Sequence, residues 1–151
     1  MKSIYLIGAL KNWEVPAIAN EIQALGIEAF CDWISPGPDA DKFLLQLAKA
    51  RGWDYEQLLN SRAANHCFQF DKENLDRVDA AVAIAPFGKS AFAELGYMAG
   101  KGKPVYVLFP NGPELPERFD LMIKFATKVF FSTESFLAEL NRFFLLTSPA
   151  P

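Results

Sequence analysis

Four short apolar runs punctuate the chain, at 4–7, 27–31, 80–85 and 105–109, and a weaker fifth follows at 128–131. Each has the length of a strand. The first, third and fourth are apolar without clear alternation, the pattern of strands buried on both faces. The segments between them carry helical spacing. Ile18, Ile22 and Leu25 recur at helical intervals in a helix predicted over 16–25, with Gly26 as its stop. Asp71 has the setting of a helix N-cap, with Phe70 and Leu75 placed as a hydrophobic staple, and Asp79 stands where that helix would end. Ser90 is placed to cap a helix over 91–99, which Gly100 and Gly102 would end before Pro104. Ser132 or Thr133 opens a last helix over 136–144, and 147–151 reads as a loose tail.

This alternation predicts a doubly wound α/β fold with a five-stranded, flavodoxin-like parallel sheet. The stretch 35–66 is too long for a plain connection. Both 39–50 and 55–64 read as helical, so a helical insert at about 38–66 is expected after the second strand. No internal repeat or linker interrupts the pattern, and residues 1–151 read as a single domain.

Composition narrows the function classes. With 51% hydrophobic and 14% aromatic residues, the chain can bury a core, which excludes intrinsic disorder. Fifteen Lys and Arg against 18 Asp and Glu give a net charge of −3, without a basic block. A nucleic-acid polymer is therefore not an expected partner. Two cysteines, Cys31 and Cys67, and one histidine, His66, exclude a disulfide scaffold and argue against a metal site. No stretch approaches the roughly 20 apolar residues of a membrane span. The first apolar run is also short for a signal peptide. A soluble cytoplasmic protein with no membrane partner is expected.

In open parallel sheets, ligands bind beyond the carboxyl ends of the strands. That rule selects the loops 8–12, 32–39, 86–90 and 110–120. Glu94 follows the third of these, among the apolar residues Ala91, Phe92, Ala93 and Leu95. Placed on the first turn of its helix, it would be favoured in its ionised form by about 0.3–1 kcal/mol. A fixed carboxylate can attack an electrophilic carbon, whereas a solvated partner of the helix dipole is the plainer role. Composition alone favours the plainer one. Gly88, Lys89 and Ser90 combine close backbone approach, a cation and a helix N-terminus, which suits an anion as well as an ordinary turn. Asp32 and Trp33 could read a hydrogen-bond donor edge and stack on a ring, or serve as a turn residue and a core residue. Tyr5 on the first strand reads as core, and His66 and Cys67 have no partner spacing.

The run Tyr5-Leu6-Ile7-Gly8, Asp71 followed by Asp79, and Ala93-Glu94-Leu95-Gly96-Tyr97 together resemble the nucleoside 2-deoxyribosyltransferase family. The likeness extends from Ser3 to about Phe131 and includes the related 2′-deoxynucleoside 5′-phosphate N-hydrolases. It implies that Glu94 is a nucleophile toward the anomeric carbon, that Asp71 assists the departing base, and that Tyr5 orients the nucleophile. Asp120 and Met122 would match a loop that reaches toward the sugar in a neighbouring subunit. A homodimer or higher homo-oligomer is implied, and no cofactor. Fourteen Phe exceed what a small core readily hides, so Phe119, Phe125, Phe143 and Phe144 are read as interface residues, against an aromatic-rich core.

The chain departs from the family pattern twice. Gly88, with Lys89 and Ser90 after it, stands six positions before Glu94, where the nucleoside-specific transferases carry an acidic residue. Losing that carboxylate and gaining a cation favours a 5′-monophosphate. The chain also ends in Ser148-Pro149-Ala150-Pro151, where some transferases end in an aromatic residue that completes the neighbouring site. Water can then replace the second base. Cleavage of a deoxynucleoside or its monophosphate, with transfer to a base or to water, is the leading expectation. The rivals are a non-catalytic nucleotide-binding module and an NAD-type glycohydrolase, since fold does not fix function.

Overall fold

The computed structural model describes residues 1–8, 12–31 and 40–147. Five strands form one parallel sheet: β1 (Ser3–Ile7), β2 (Glu28–Cys31), β3 (Ala80–Ile84), β4 (Val105–Leu108) and β5 (Lys128–Phe130). Their order is β2-β1-β3-β4-β5, the doubly wound arrangement expected, in the flavodoxin-like order. Helices α1 (Glu14–Ala24), α2 (Ala40–Arg51), α3 (Tyr55–Leu59), α4 (Arg62–Arg77), α5 (Lys89–Gly100) and α6 (Thr133–Thr147) flank it. A 3₁₀ turn spans Leu121–Phe125.

Strand pleating divides the core. Ile4 and Leu6 join Val82, Ile84, Tyr106 and Leu108 beneath α1 and α6. Tyr5 and Ile7 join Ala81, Ala83, Val105 and Val107 beneath α4 and α5. The first face is filled by large rings, with Tyr106, Phe130 and Phe136 packed at centroid distances of 5.5–6.0 Å. Full burial of Phe136 stabilises the fold by about 1.5–3 kcal/mol. On the second face β3 contributes only alanines, Ala81 and Ala83, which lets α5 approach the sheet through Ala91, Leu95 and Met98.

Several local signals act as expected. The α1 face of Val15, Ile18 and Ile22 is buried, and Gly26 ends the helix at φ +86°, a conformation costly for any residue with a side chain. Ser132 Oγ accepts the Ser135 N–H at 3.2 Å at the head of α6.

Others are overturned. Asp71 is not an N-cap: it is the tenth residue of α4. Ser61 holds the cap, its Oγ accepting the Ala64 N–H at 3.1 Å. Nothing in 62–70 breaks a helix, since the stretch contains neither Gly nor Pro, so α4 starts inside the expected insert. The expected helix 55–64 is accordingly split. Asp54 and Gln57 form a capping box at the head of α3, and the chain turns at Asn60 before α4 begins. Ser90 is not a cap either. Gly88 is the N-cap of α5, without a side-chain hydrogen bond, and Glu94 therefore lies on the second turn rather than the first. Asp79 lies beyond the C-cap Val78 and binds the start of β1 instead. The C-terminus of α4 is closed by Lys103, whose Nζ donates to the carbonyls of Asp76 at 2.6 Å and Val78 at 2.7 Å. Burial, with Lys101 nearby, holds that amine below its usual pKa.

Phe119 and Phe125 are exposed as expected, at 80% and 60%. Phe143 and Phe144, on α6, are half-buried and pack against the core. No helix among the described residues is long and apolar enough to cross a membrane.

Candidate functional site

The strand order reverses between β1 and β3, where a ligand crevice is expected. Among the described residues, Asn12 and Gly8 are held there by hydrogen bonds and packing. The Asn12 side-chain amide donates to the carbonyls of Ile84 and Ala85, both at 3.1 Å, and its Oδ1 accepts the Glu14 N–H at 3.1 Å. Beside it Gly8 lies flush against α1: a Cβ there would sit 2.5 Å from Val15 Cγ2. Gly8, expected at a substrate, has a packing reason to be glycine.

A candidate site opens among the helices that cover the alanine-bearing face of the sheet. A cavity of about 760 Å³ lies between α4 and α5, and α2 and α3 contribute a further wall. Asp71 and Lys72 line it from α4, and Ser90, Glu94 and Tyr97 from α5. The helical insert thus reaches the site, through Leu44, Leu45, Tyr55 and Leu58. Helical spacing explains the grouping, since residues three and four apart share a face: Cys67 with Asp71, and Ser90 with Glu94 and Tyr97.

The structure brings Glu94, Asp71 and Ser90 together and places the other expected residues around them. Tyr5 does not line the cavity; it is 3% exposed, in one core cluster with Leu75 and Leu95 and with its ring 5.2 Å from Phe30. Gly88 and Lys89 are exposed at the N-terminus of α5. Space beside Gly88 is open, with no atom within 4 Å of where a Cβ would lie. Asp120 and Met122 are exposed and line no part of the cavity; Asp120 precedes the 3₁₀ turn and Met122 lies within it. Asp32 and Trp33 lie outside the described residues.

Sequence reasoning missed a polar cluster that adjoins the cavity through Lys72 and Tyr97. Asp76 accepts hydrogen bonds from the Tyr97 hydroxyl and from Lys101 Nζ, and its other oxygen accepts Lys72 Nζ at 2.9 Å. The Lys101 hydrogen bond, then those of Tyr97 and Lys72, hold the Asp76 carboxyl well below the usual carboxylate range. The same contacts raise the pKa of both lysines. A signal was present in the four-residue spacing of Lys72 and Asp76, a favoured helical ion pair. The link to Tyr97 crosses between helices and has no sequence signature.

No group of three or more His, Cys, Asp or Glu that could hold a metal ion occurs among the described residues. What the cavity offers chemically is three carboxylates from three helices (Asp41, Asp71 and Glu94), the hydroxyls of Tyr55, Ser90 and Tyr97, the Lys72 ammonium, the Cys67 thiol, and an apolar wall that includes Phe68.

No family model matches the sequence, and no curated protein matches it. Among solved structures, a conserved protein from Enterococcus faecalis V583 is 17% identical and superposes with a TM-score of 0.66, over 94% of this chain and 98% of its own. A 3-dehydroquinate dehydratase-like protein from Bifidobacterium longum is 11% identical, with a TM-score of 0.47 over 99% and 100% of the two chains. The E. faecalis likeness shows the fold: a doubly wound α/β sheet with helices on both faces.

Proposed function

We propose that this protein cleaves the N-glycosidic bond of a 2′-deoxynucleoside or, preferentially, its 5′-monophosphate. The observation that carries the reading is the meeting of Asp71 and Glu94 at one cavity from two separate helices. The resemblance to the nucleoside 2-deoxyribosyltransferase family supports it. A carboxylate oxygen of Glu94 attacks C1′ while the bond to the base nitrogen breaks through an oxocarbenium-like transition state. The bond's electron pair leaves with the base, and protonated Asp71 donates its proton to it. Water or a second base then attacks C1′ of the glycosyl ester and releases Glu94. Tyr5 supports this arrangement from β1.

The preference for a monophosphate follows from the N-terminus of α5. With Gly88 as N-cap, no side chain there satisfies the first-turn N–H groups, and Lys89 adds a cation beside them. Both favour an anion. Assembly into a homo-oligomer fits the same reading, since Phe119, Leu121, Met122 and Phe125 are exposed close together in sequence.

The test is chromatographic. The purified protein is incubated with each deoxynucleoside and each monophosphate, with and without a second base, beside Glu94→Ala. Free base from a monophosphate without acceptor identifies an N-hydrolase, and a new nucleoside or nucleotide formed only with acceptor identifies a transferase. Faster turnover of nucleosides than of monophosphates overturns the phosphate preference. Absence of turnover in both wild type and Glu94→Ala overturns the catalytic reading.

A further inference from the structure

We infer that Tyr97 and Asp76 are a positioning pair that holds Glu94 and Asp71 in register across the cavity, an inference that rests on the reading just proposed. Tyr97 stands three residues after Glu94 on α5, so the two share a face. Asp76 stands five residues after Asp71, near the end of α4. The Tyr97–Asp76 hydrogen bond therefore joins the helices about one turn from each reactive carboxylate.

Other contacts reinforce this link. Lys101, just past α5, donates to the same Asp76 oxygen that Tyr97 reaches. Lys103 grips the last carbonyls of α4. Two ammonium groups flank the Tyr97 ring, Lys101 at 5.3 Å and Lys72 at 5.9 Å from its centroid. Lys72 follows Asp71 directly in the chain, yet its ammonium bonds Asp76. The cavity lies between α4 and α5 beside the carboxylates, so the side-chain tie from Tyr97 to Asp76 sets their spacing. A hydrogen bond to a charged group is the stronger kind, and three donors on one carboxylate leave Tyr97 a single well-defined position.

The test compares Tyr97→Phe, Asp76→Asn and the double variant with wild type, by steady-state release of base from the best substrate. Tyr97→Phe keeps the ring and removes only the hydroxyl. The expected result is a kcat loss of about ten- to hundredfold, the cost of a small misplacement of reacting groups. KM stays within about twofold, because uniform binding is untouched. The double variant falls no further than the worse single one, since both remove one link. A Tyr97→Phe enzyme with wild-type kcat, losses that multiply, or a loss carried entirely by KM each overturn this inference alone. Should Asp76→Asn fail to fold, Tyr97→Phe decides by the same kcat and KM criteria. A wild-type protein that releases no base overturns the proposed reaction, and this inference with it.

Discussion

Asp79 and Ser3 hydrogen-bond in both directions: the Asp79 carboxylate accepts the Ser3 N–H at 2.9 Å, and the Asp79 N–H donates to the Ser3 carbonyl at 3.1 Å. The same carboxylate oxygen accepts the Lys2 N–H at 2.8 Å. The head of β3 thereby fixes the start of β1, the strand on which the sheet order reverses. Burial by itself would raise the Asp79 pKa, but the backbone N–H groups of Lys2 and Ser3 and the Ser3 hydroxyl outweigh it and hold the carboxyl low.

Asp79→Ala removes those acceptors and is expected to lower stability by about 1–2 kcal/mol, as for a part-exposed hydrogen bond to a charged group. The pH dependence has a definite sign. A carboxyl whose pKa is lower in the folded state adds stability above its unfolded pKa, and loses it as pH falls through the folded value. Asp79, and Asp76 likewise, should therefore make the fold weaken below the ordinary carboxylate pKa. Urea denaturation of wild type and Asp79→Ala from neutral to acid pH checks both points. A stability difference that does not shrink toward acid would contradict the assignment of Asp79.

Gly8→Ala places a methyl 2.5 Å from Val15 Cγ2, on a residue only 1% exposed. Overpacking of this kind costs about 1–3 kcal/mol. Val15→Ala in the same chain should recover part of the loss, because it removes the methyl that clashes. A thermal-unfolding double-mutant cycle measures this coupling. Additive losses would show that Gly8 is glycine for a reason other than packing.

The Tyr106 hydroxyl is buried with no hydrogen-bond partner among the described residues. Burial, with Glu139 nearby, pushes its pKa up to about 12. Tyr106→Phe keeps the ring contacts with Phe130 and Phe136 and removes an unsatisfied polar atom. The change should leave stability unaltered or raise it by up to about 1 kcal/mol. A drop of that size in denaturant unfolding would reveal a partner for the hydroxyl.

Ser61 and Asp71 should separate stability from activity. Ser61→Ala loses the α4 cap and is expected to cost about 1 kcal/mol, leaving base release unchanged. Asp71→Asn is expected to lower base release by about 10²–10⁴-fold, the range for a general acid. Paired melting curves and kinetics would contradict the assignment if Ser61→Ala lost activity and Asp71→Asn kept it.

Read from its amino acids alone, the chain already determines its strands and its fold class. The five apolar runs fall on the five strands to within a residue or so. Strands β1, β3 and β4 are apolar almost throughout because they are buried on both faces, whereas the edge strands β2 and β5 are only partly buried. Gly26 ends α1 for an equally local reason. Helix starts were less legible. Asp71 and Ser90 both have capping chemistry, but capping is offered by many polar residues, and Ser61 and Gly88 take the positions.

Tertiary structure alone decided where the cavity between α4 and α5 opens. The loops selected by the sheet rule supplied only Ser90 among the described cavity residues, while Asn12 and Gly8 serve packing and hydrogen bonding. Asp71 and Glu94 meet because α4 and α5 cover the same face of the sheet, and Tyr97 meets Asp76 for the same reason. Local sequence encodes periodicity and punctuation over a few residues. Contacts between helices separated by a strand depend on strand order and on small side chains such as Ala81 and Ala83, and these become visible only when the sheet is assembled.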